Sequence, residues 1–156
     1  MREWPPCLDM GASMYVFKVR ADRYFLRLEL GEEALESLTS FAAREEIGAA
    51  ALRGIGAART AQVAFYDLRR KRYEPIDINE PTEVAGLVGN IGRGEDGAPI
   101  VHVHTTLCRR DGSAAGGHLV RLEVGATLEI DLDLFAGTLR RRLDPEIGLP
   151  LQCALE

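Results

Sequence analysis

Three things are scarce in this chain, and each scarcity narrows what it can be. Cysteine is the first. Cys7, Cys108 and Cys153 are odd in number, widely spaced and in no C-x-x-C pair. That spacing argues against a sulfur-rich zinc site and fits reduced structural thiols in the cytosol. Long apolar runs are the second. None approaches the roughly 20 residues needed to span a bilayer. The opening MREWPPCLDMGASM also lacks the apolar centre of a signal peptide. The expectation is a soluble cytoplasmic protein with no membrane partner. Positive charge is the third. Nineteen Lys and Arg face 24 Asp and Glu, a formal net charge of −5. Such a balance disfavours non-specific phosphate binding, although it leaves room for a local basic patch.

What remains is ordinary for one globular domain: 156 residues, 46% hydrophobic and 28% charged. A chain of this size buries roughly two-thirds of its unfolded surface, enough for a core without staples. Residues 1–13, with Trp4-Pro5-Pro6, read as a leader. From Tyr15 the pattern turns to β, with Tyr24, Leu26, Leu28 and Leu30 alternating against Phe25, Arg27 and Glu29. Ala21-Asp22-Arg23 marks a turn. Residues 31–48 read as the main helix, with Ala34, Leu35, Leu38, Phe41 and Ala42 on one stripe. Glu32 and Glu33 fall in its first turn and Gly48 at its end.

Six short β-rich segments follow, at 49–55, 62–68, 83–91, 100–107, 117–122 and 127–135. Residues 137–156, with Pro145, Gly148 and Pro150, read as an irregular tail with a helical turn near 139–142. One helix and a run of strands predict an α+β fold: a mainly antiparallel β-sheet packed with one principal helix. The expected organisation is a leader at 1–13, a single compact domain at 14–136 and a tail at 137–156.

The chemistry concentrates in three histidines. His102 and His104 are two apart in a predicted strand, so both imidazoles project from one face while Val101, Val103 and Thr105 take the other. The third, His118, depends on how the next hairpin closes. A three-residue loop, Arg110-Asp111-Gly112, with Gly112 left-handed, sets Arg109 opposite Ser113 and makes opposed residue numbers sum to 222. His104 then faces His118, with His102 diagonal to it. A two-residue Asp-Gly loop would turn His118 to the wrong face. With the longer loop, or with a bulge near Gly116-Gly117, three neutral imidazoles surround one point and leave a fourth position open, the arrangement of a catalytic zinc site. The competing reading is three ordinary strand residues. It has a cost, because clustered imidazoles repel when protonated and waste polar groups when buried.

Other residues are candidates of lower rank. Glu83 and Glu129 lie in predicted strands, where either could be a general base or a further ligand, or a member of a solvated face. Asp67 and Asp131 are weaker versions of the same idea. Arg69-Arg70-Lys71-Arg72 and Arg140-Arg141-Arg142 fit solvated turns or subunit ion pairs, with anion or nucleic-acid contact the alternative. Gly54-Ile55-Gly56 lacks the third glycine and following helix of a dinucleotide motif, and tight-turn geometry accounts for it better. Cys108 reads as structural.

Several stretches together resemble the PPC (plant- and prokaryote-conserved) domain family: RYFLRLELGEEALESLTSFAAREEIGAAALRGIGAA, AFYDL, PTEVAGLVGNIG, APIVHVHTTLCRRDGSAAGGHLV and GATLEIDL. The likeness spans about residues 15–135. Its most specific parts are the GIGA segment from Gly54 to Ala57, the H-x-H strand, and Gly116-Gly117-His118-Leu119. The resemblance implies a compact α+β domain assembled as a homotrimer, a type often labelled DNA-binding in bacteria and archaea. In plants the related domain follows an AT-hook. This chain has none, and Gly92-Arg93-Gly94 is followed by Glu95 and Asp96. The fold is similar, more distantly, to zinc-dependent acetolactate decarboxylases, whose zinc ligands are an H-x-H pair and a third downstream histidine. His102, His104 and His118 match them in order and type, with a longer downstream spacing.

The first expectation is therefore a Zn2+ or other divalent transition-metal centre on His102, His104 and His118. It would serve a metal-dependent lyase or hydrolase acting on a small molecule, with Glu83 or Glu129 moving protons. A DNA-binding or regulatory oligomerisation module ranks second, and a purely structural trimer third.

Overall fold

The computed structural model describes residues 14–156; the leader expected at 1–13 lies outside them. The described residues form nine strands and one helix. In chain order these are β1 (Tyr15–Arg20), β2 (Arg23–Glu29), α1 (Ala34–Arg44), β3 (Ala50–Asp67), β4 (Arg72–Ile78) and β5 (Thr82–Arg93). They continue with β6 (Pro99–Cys108), β7 (Ala114–Leu134), β8 (Leu139–Asp144) and β9 (Leu149–Leu155). Every pairing is antiparallel except a single parallel contact of β5 with β8. The expected α+β class and antiparallel bias hold.

The alternation in β2 does what its period demands. Tyr24, Leu26 and Leu28 are buried and their neighbours are not. Leu30, expected on the same stripe, stands outside the strand and is exposed. The helix is shorter than 31–48 because Glu33 is its N-cap rather than part of its first turn. One Glu33 carboxylate oxygen accepts from the Glu36 amide at 2.7 Å and the other from the Leu122 amide at 2.9 Å. The cap therefore also ties the helix start to β7. At the other end the Arg93 guanidinium donates to the carbonyls of Ala42 and Ile47. The Ala42 carbonyl also accepts from the Ile47 amide at 2.9 Å, so Arg93 fastens the chain where it leaves the helix. Ala34, Leu38, Phe41 and Ala42 face the sheet and are buried. Burying Leu38 and Phe41 contributes about 1.5–3 kcal/mol each.

Two expectations give way in the sheet. The segments at 49–55 and 62–68 are one 18-residue strand, β3, and those at 117–122 and 127–135 are one 21-residue strand, β7. Register shifts interrupt both strands and hide their continuity from a period-two reading. The GIGA segment lies inside β3 and is not a tight turn. Its glycines let β7 come close: a Cβ on Gly54 would stand 2.6 Å from the Glu129 carbonyl oxygen, and one on Gly56 would overlap that of Thr127. β4 was not expected at all.

The pairings close on themselves. β7 pairs with β3, β3 with β5, β5 with β6, and β6 returns to β7. Val84, Leu87, Ile91, Val103, Leu107, Leu119 and Leu122 share one core cluster with α1. The irregular tail expected at 137–156 is a β-hairpin, and residues 139–142 are strand, not a helical turn. Leu139 donates its amide to the Gly48 carbonyl, and β8 meets β5 at Arg93 and Arg140. This hairpin is what brings Arg141 to the histidines.

Candidate metal centre

The β6–β7 hairpin closes as its turn residues require. The Arg109 amide donates to the Ser113 carbonyl at 2.8 Å, and Gly112 has φ 83°. Cys108 faces Ala114, and His104 faces His118. Val103, Thr105 and Leu107 point into the core, so His102 and His104 point away from it. His118 takes that same side because Leu119, next to it, is buried.

The three rings meet. Centroid separations are 5.2 Å for His102–His104, 5.2 Å for His102–His118 and 5.5 Å for His104–His118. One ligand nitrogen from each ring lies within 4.8 Å of the others. Tyr73, delivered by β4, stacks on His118 at 4.5 Å. Arg141 approaches His102, its Nη2 3.2 Å from Nδ1. Asn90, opposite His102 on β5, accepts from the same Nη2 at 2.7 Å. His104 is the exposed member of the trio. It borders a groove of about 370 Å³ lined by Gly86, Val88, Thr105, Thr106, Gly116 and Gly117.

The electrostatics favour neutral rings. Burial pushes the His118 pKa down to about 4, helped by His102, His104 and Arg141. Burial, then Arg141 and His104, lowers that of His102. Among the described residues no carboxylate offsets these effects. The His118 Nδ1 atom is buried without a hydrogen-bond partner. A neutral imidazole with an orphaned ring nitrogen beside two others suits a divalent transition metal, since ligation uses a ring lone pair.

Glu83 and Glu129 are not brought to this cluster within one chain. Glu83 pairs with Cys108, four residues beyond His104, roughly 13 Å along β6. Glu129 sits opposite Ile55 and Arg27, far up β7 from His118. The two carboxylates instead line a groove of their own with Ile55, Gly56, Val84, Ala85 and Thr127. Asp67 caps the following turn, accepting from the amides of Arg69 and Arg70. Asp131 pairs with Arg23 and Arg53. Cys108 is half-buried and free. Arg70 pairs with Asp67 and Glu74, and Arg140 with Glu156. Tyr73 and Asn90 were missed, and Arg141 was weighed only within the Arg140-Arg141-Arg142 cluster, as a solvated turn, a subunit ion pair or an anion contact.

Comparison with known proteins agrees with this picture. The model of the Plants and Prokaryotes Conserved (PCC) domain matches residues 17–136. The chain belongs to that family, the PPC family of the sequence resemblance. A metal-containing protein from Archaeoglobus fulgidus is 32% identical, with TM-score 0.79 over 86% of this chain and 94% of its own. A plant- and prokaryote-conserved protein from Pyrococcus horikoshii is 32% identical, with TM-score 0.79 over 86% and 92%. A candidate DNA-binding protein from Ralstonia eutropha is 34% identical, with TM-score 0.79 over 84% and 90%. The acetolactate decarboxylase of Bacillus subtilis shares the fold at 13% identity, with TM-score 0.51 over 81% of this chain and 58% of the enzyme. No curated protein matches the chain. Among the described residues no helix is long and apolar enough to cross a membrane.

Proposed function

We propose that His102, His104 and His118 bind a divalent transition metal, zinc or a close relative. In this reading the protein is a cytosolic homotrimer whose metal centre acts on a small molecule as a lyase or hydrolase. The observation that carries it is the meeting of three ligand nitrogens within 4.8 Å. The orphaned Nδ1 of His118 and the metal-containing Archaeoglobus fulgidus relative support it. When bound, such a metal polarises a carbonyl or activates water. The chain's residues hold the rest of the arrangement. Tyr73 fixes the His118 ring by stacking, and the groove beside His104 gives access. Metal analysis of freshly purified protein should find about one equivalent per chain, lost when His102 and His104 are both replaced by alanine. Less than about a tenth of an equivalent in the parent chain, unchanged by those substitutions, rejects the reading. Light scattering at three times 17.1 kDa is the expected result for the trimer.

A DNA-binding or regulatory oligomerisation module is the second reading. Its support is the name of the Ralstonia eutropha relative. Against it stand the net charge of −5 and the pairing of Arg70 and Arg140 with carboxylates. Salt-dependent retardation of a duplex is the result it requires.

A further inference from the structure

Arg141 holds the histidine cluster from its closed side and is only 7% exposed. Its Nη1 donates to the Pro150 carbonyl at 2.9 Å and its Nη2 to Asn90 Oδ1 at 2.7 Å. The same Nη2 lies 3.2 Å from His102 Nδ1, and the buried Nε reaches no acceptor. A guanidinium only donates. His102 therefore offers Arg141 the Nδ1 lone pair and keeps its own proton on Nε2.

A metal needs a lone pair from the same ring. At Nδ1 it meets the guanidinium. At Nε2 the ring proton must first move to Nδ1, where it would face the Nη2 N–H. Either route ends the hydrogen bond between Arg141 and His102. Arg141 stays tethered by Asn90 and Pro150. It then carries two buried donors without acceptors, on Nε and Nη2, beside a new divalent charge. Unsatisfied buried donors and unopposed buried charge are both costly. The chain supplies no remedy, because among the described residues no carboxylate pairs with Arg141, whose contacts are Pro150, Asn90 and His102.

Building on the metal reading, we propose that the centre takes metal and anion together, and that Arg141 recognises the anion, a small carboxylate. The planar guanidinium fork suits a carboxylate better than a point charge would. The residue that sets this preference comes from β8, outside the stretch matched by the family model.

Cobalt(II), whose visible bands report its ligands, is the probe. The full chain is loaded with Co2+ and titrated with acetate at constant ionic strength, alongside Arg141→Met. The variant should bind Co2+ at least as tightly as the parent, since a nearby positive charge is gone. It should bind acetate about tenfold to a hundredfold more weakly. Should Arg141→Met fail to fold, Arg141→Gln keeps a donor for Asn90 and makes the same comparison. Co2+ bound in parent and variant with equal acetate affinity overturns the role of Arg141 and leaves the metal reading standing. No Co2+ bound by the parent chain overturns both.

Discussion

Two polar clusters project from the sheet away from its core, and they are built on opposite plans. In the first, Arg23 and Arg53 each contact both Asp131 and Asp133, at 2.9–3.5 Å. Two positive charges meet two negative ones, and the group is complete. In the second, His102, His104 and His118 gather with Arg141 and no carboxylate. Two buried nitrogens there, His118 Nδ1 and Arg141 Nε, have no partner. Balanced charge in a partly exposed group is a device of stability, and a modest one. Unbalanced donors and bases are what the proposed metal and anion would complete.

The comparison breaks most decisively at the histidines. His104→Ala should abolish metal retention, taking bound Co2+ or Zn2+ from about one equivalent to background. Asp131→Ala should leave the metal content unchanged, so equal metal loss in both variants would erase the distinction.

A second test separates the clusters by pH. In metal-free protein, His118 takes up a proton near pH 4, against 6.5 for its ordinary value. Between these values the unfolded chain holds more protons, so stability falls as pH drops from about 6.5 to 4. Allowing for the half-exposed ring, the loss should be on the order of 2 kcal/mol. It should vanish in His118→Asn, and denaturant titration at both pH values reads it. Asp131 behaves differently, because hydrogen bonding and charge from Arg23 hold its carboxyl below its ordinary 3.8. Its contribution is intact above that value and fades only in more acidic solution.

The smallest effect belongs to the ionic group. Asp131→Asn should cost about 1 kcal/mol in urea unfolding, because these side chains are partly exposed and salt-screened. A loss of several kcal/mol would mean that this cluster organises the fold.

The sequence carried the part of the site that depends on local rules. Alternation put His102 and His104 on one face, and the Arg110-Asp111-Gly112 turn offered a register that faces His118 to His104, which the hairpin adopts. Both rest on short-range sterics that a neighbouring strand does not alter. The weakly patterned elements were not legible. β4 contains Pro75, Asp77 and Glu74 and is half solvated, so no alternation announces it. Pro75 is tolerated where a strand has a free edge. β8 reads Leu-Arg-Arg-Arg-Leu-Asp, a charged run whose middle arginine is buried only because β5 and β9 flank it. Glu83 and Glu129 stand apart from the histidines within one chain for a related reason. Residue type and strand membership were right, but distance along a long strand is invisible without its pairing.

Local chemistry therefore pointed to an α+β fold and to His102 and His104 on one face, because side-chain period is a property of neighbouring residues. Only the tertiary structure closed the hairpin that adds His118, set Tyr73, Asn90 and Arg141 around the three imidazoles, and kept the two glutamates apart from them within one chain. Tyr73, Asn90 and Arg141 arrive on β4, β5 and β8, and the pairing of distant strands is fixed by how the whole sheet closes and buries its core.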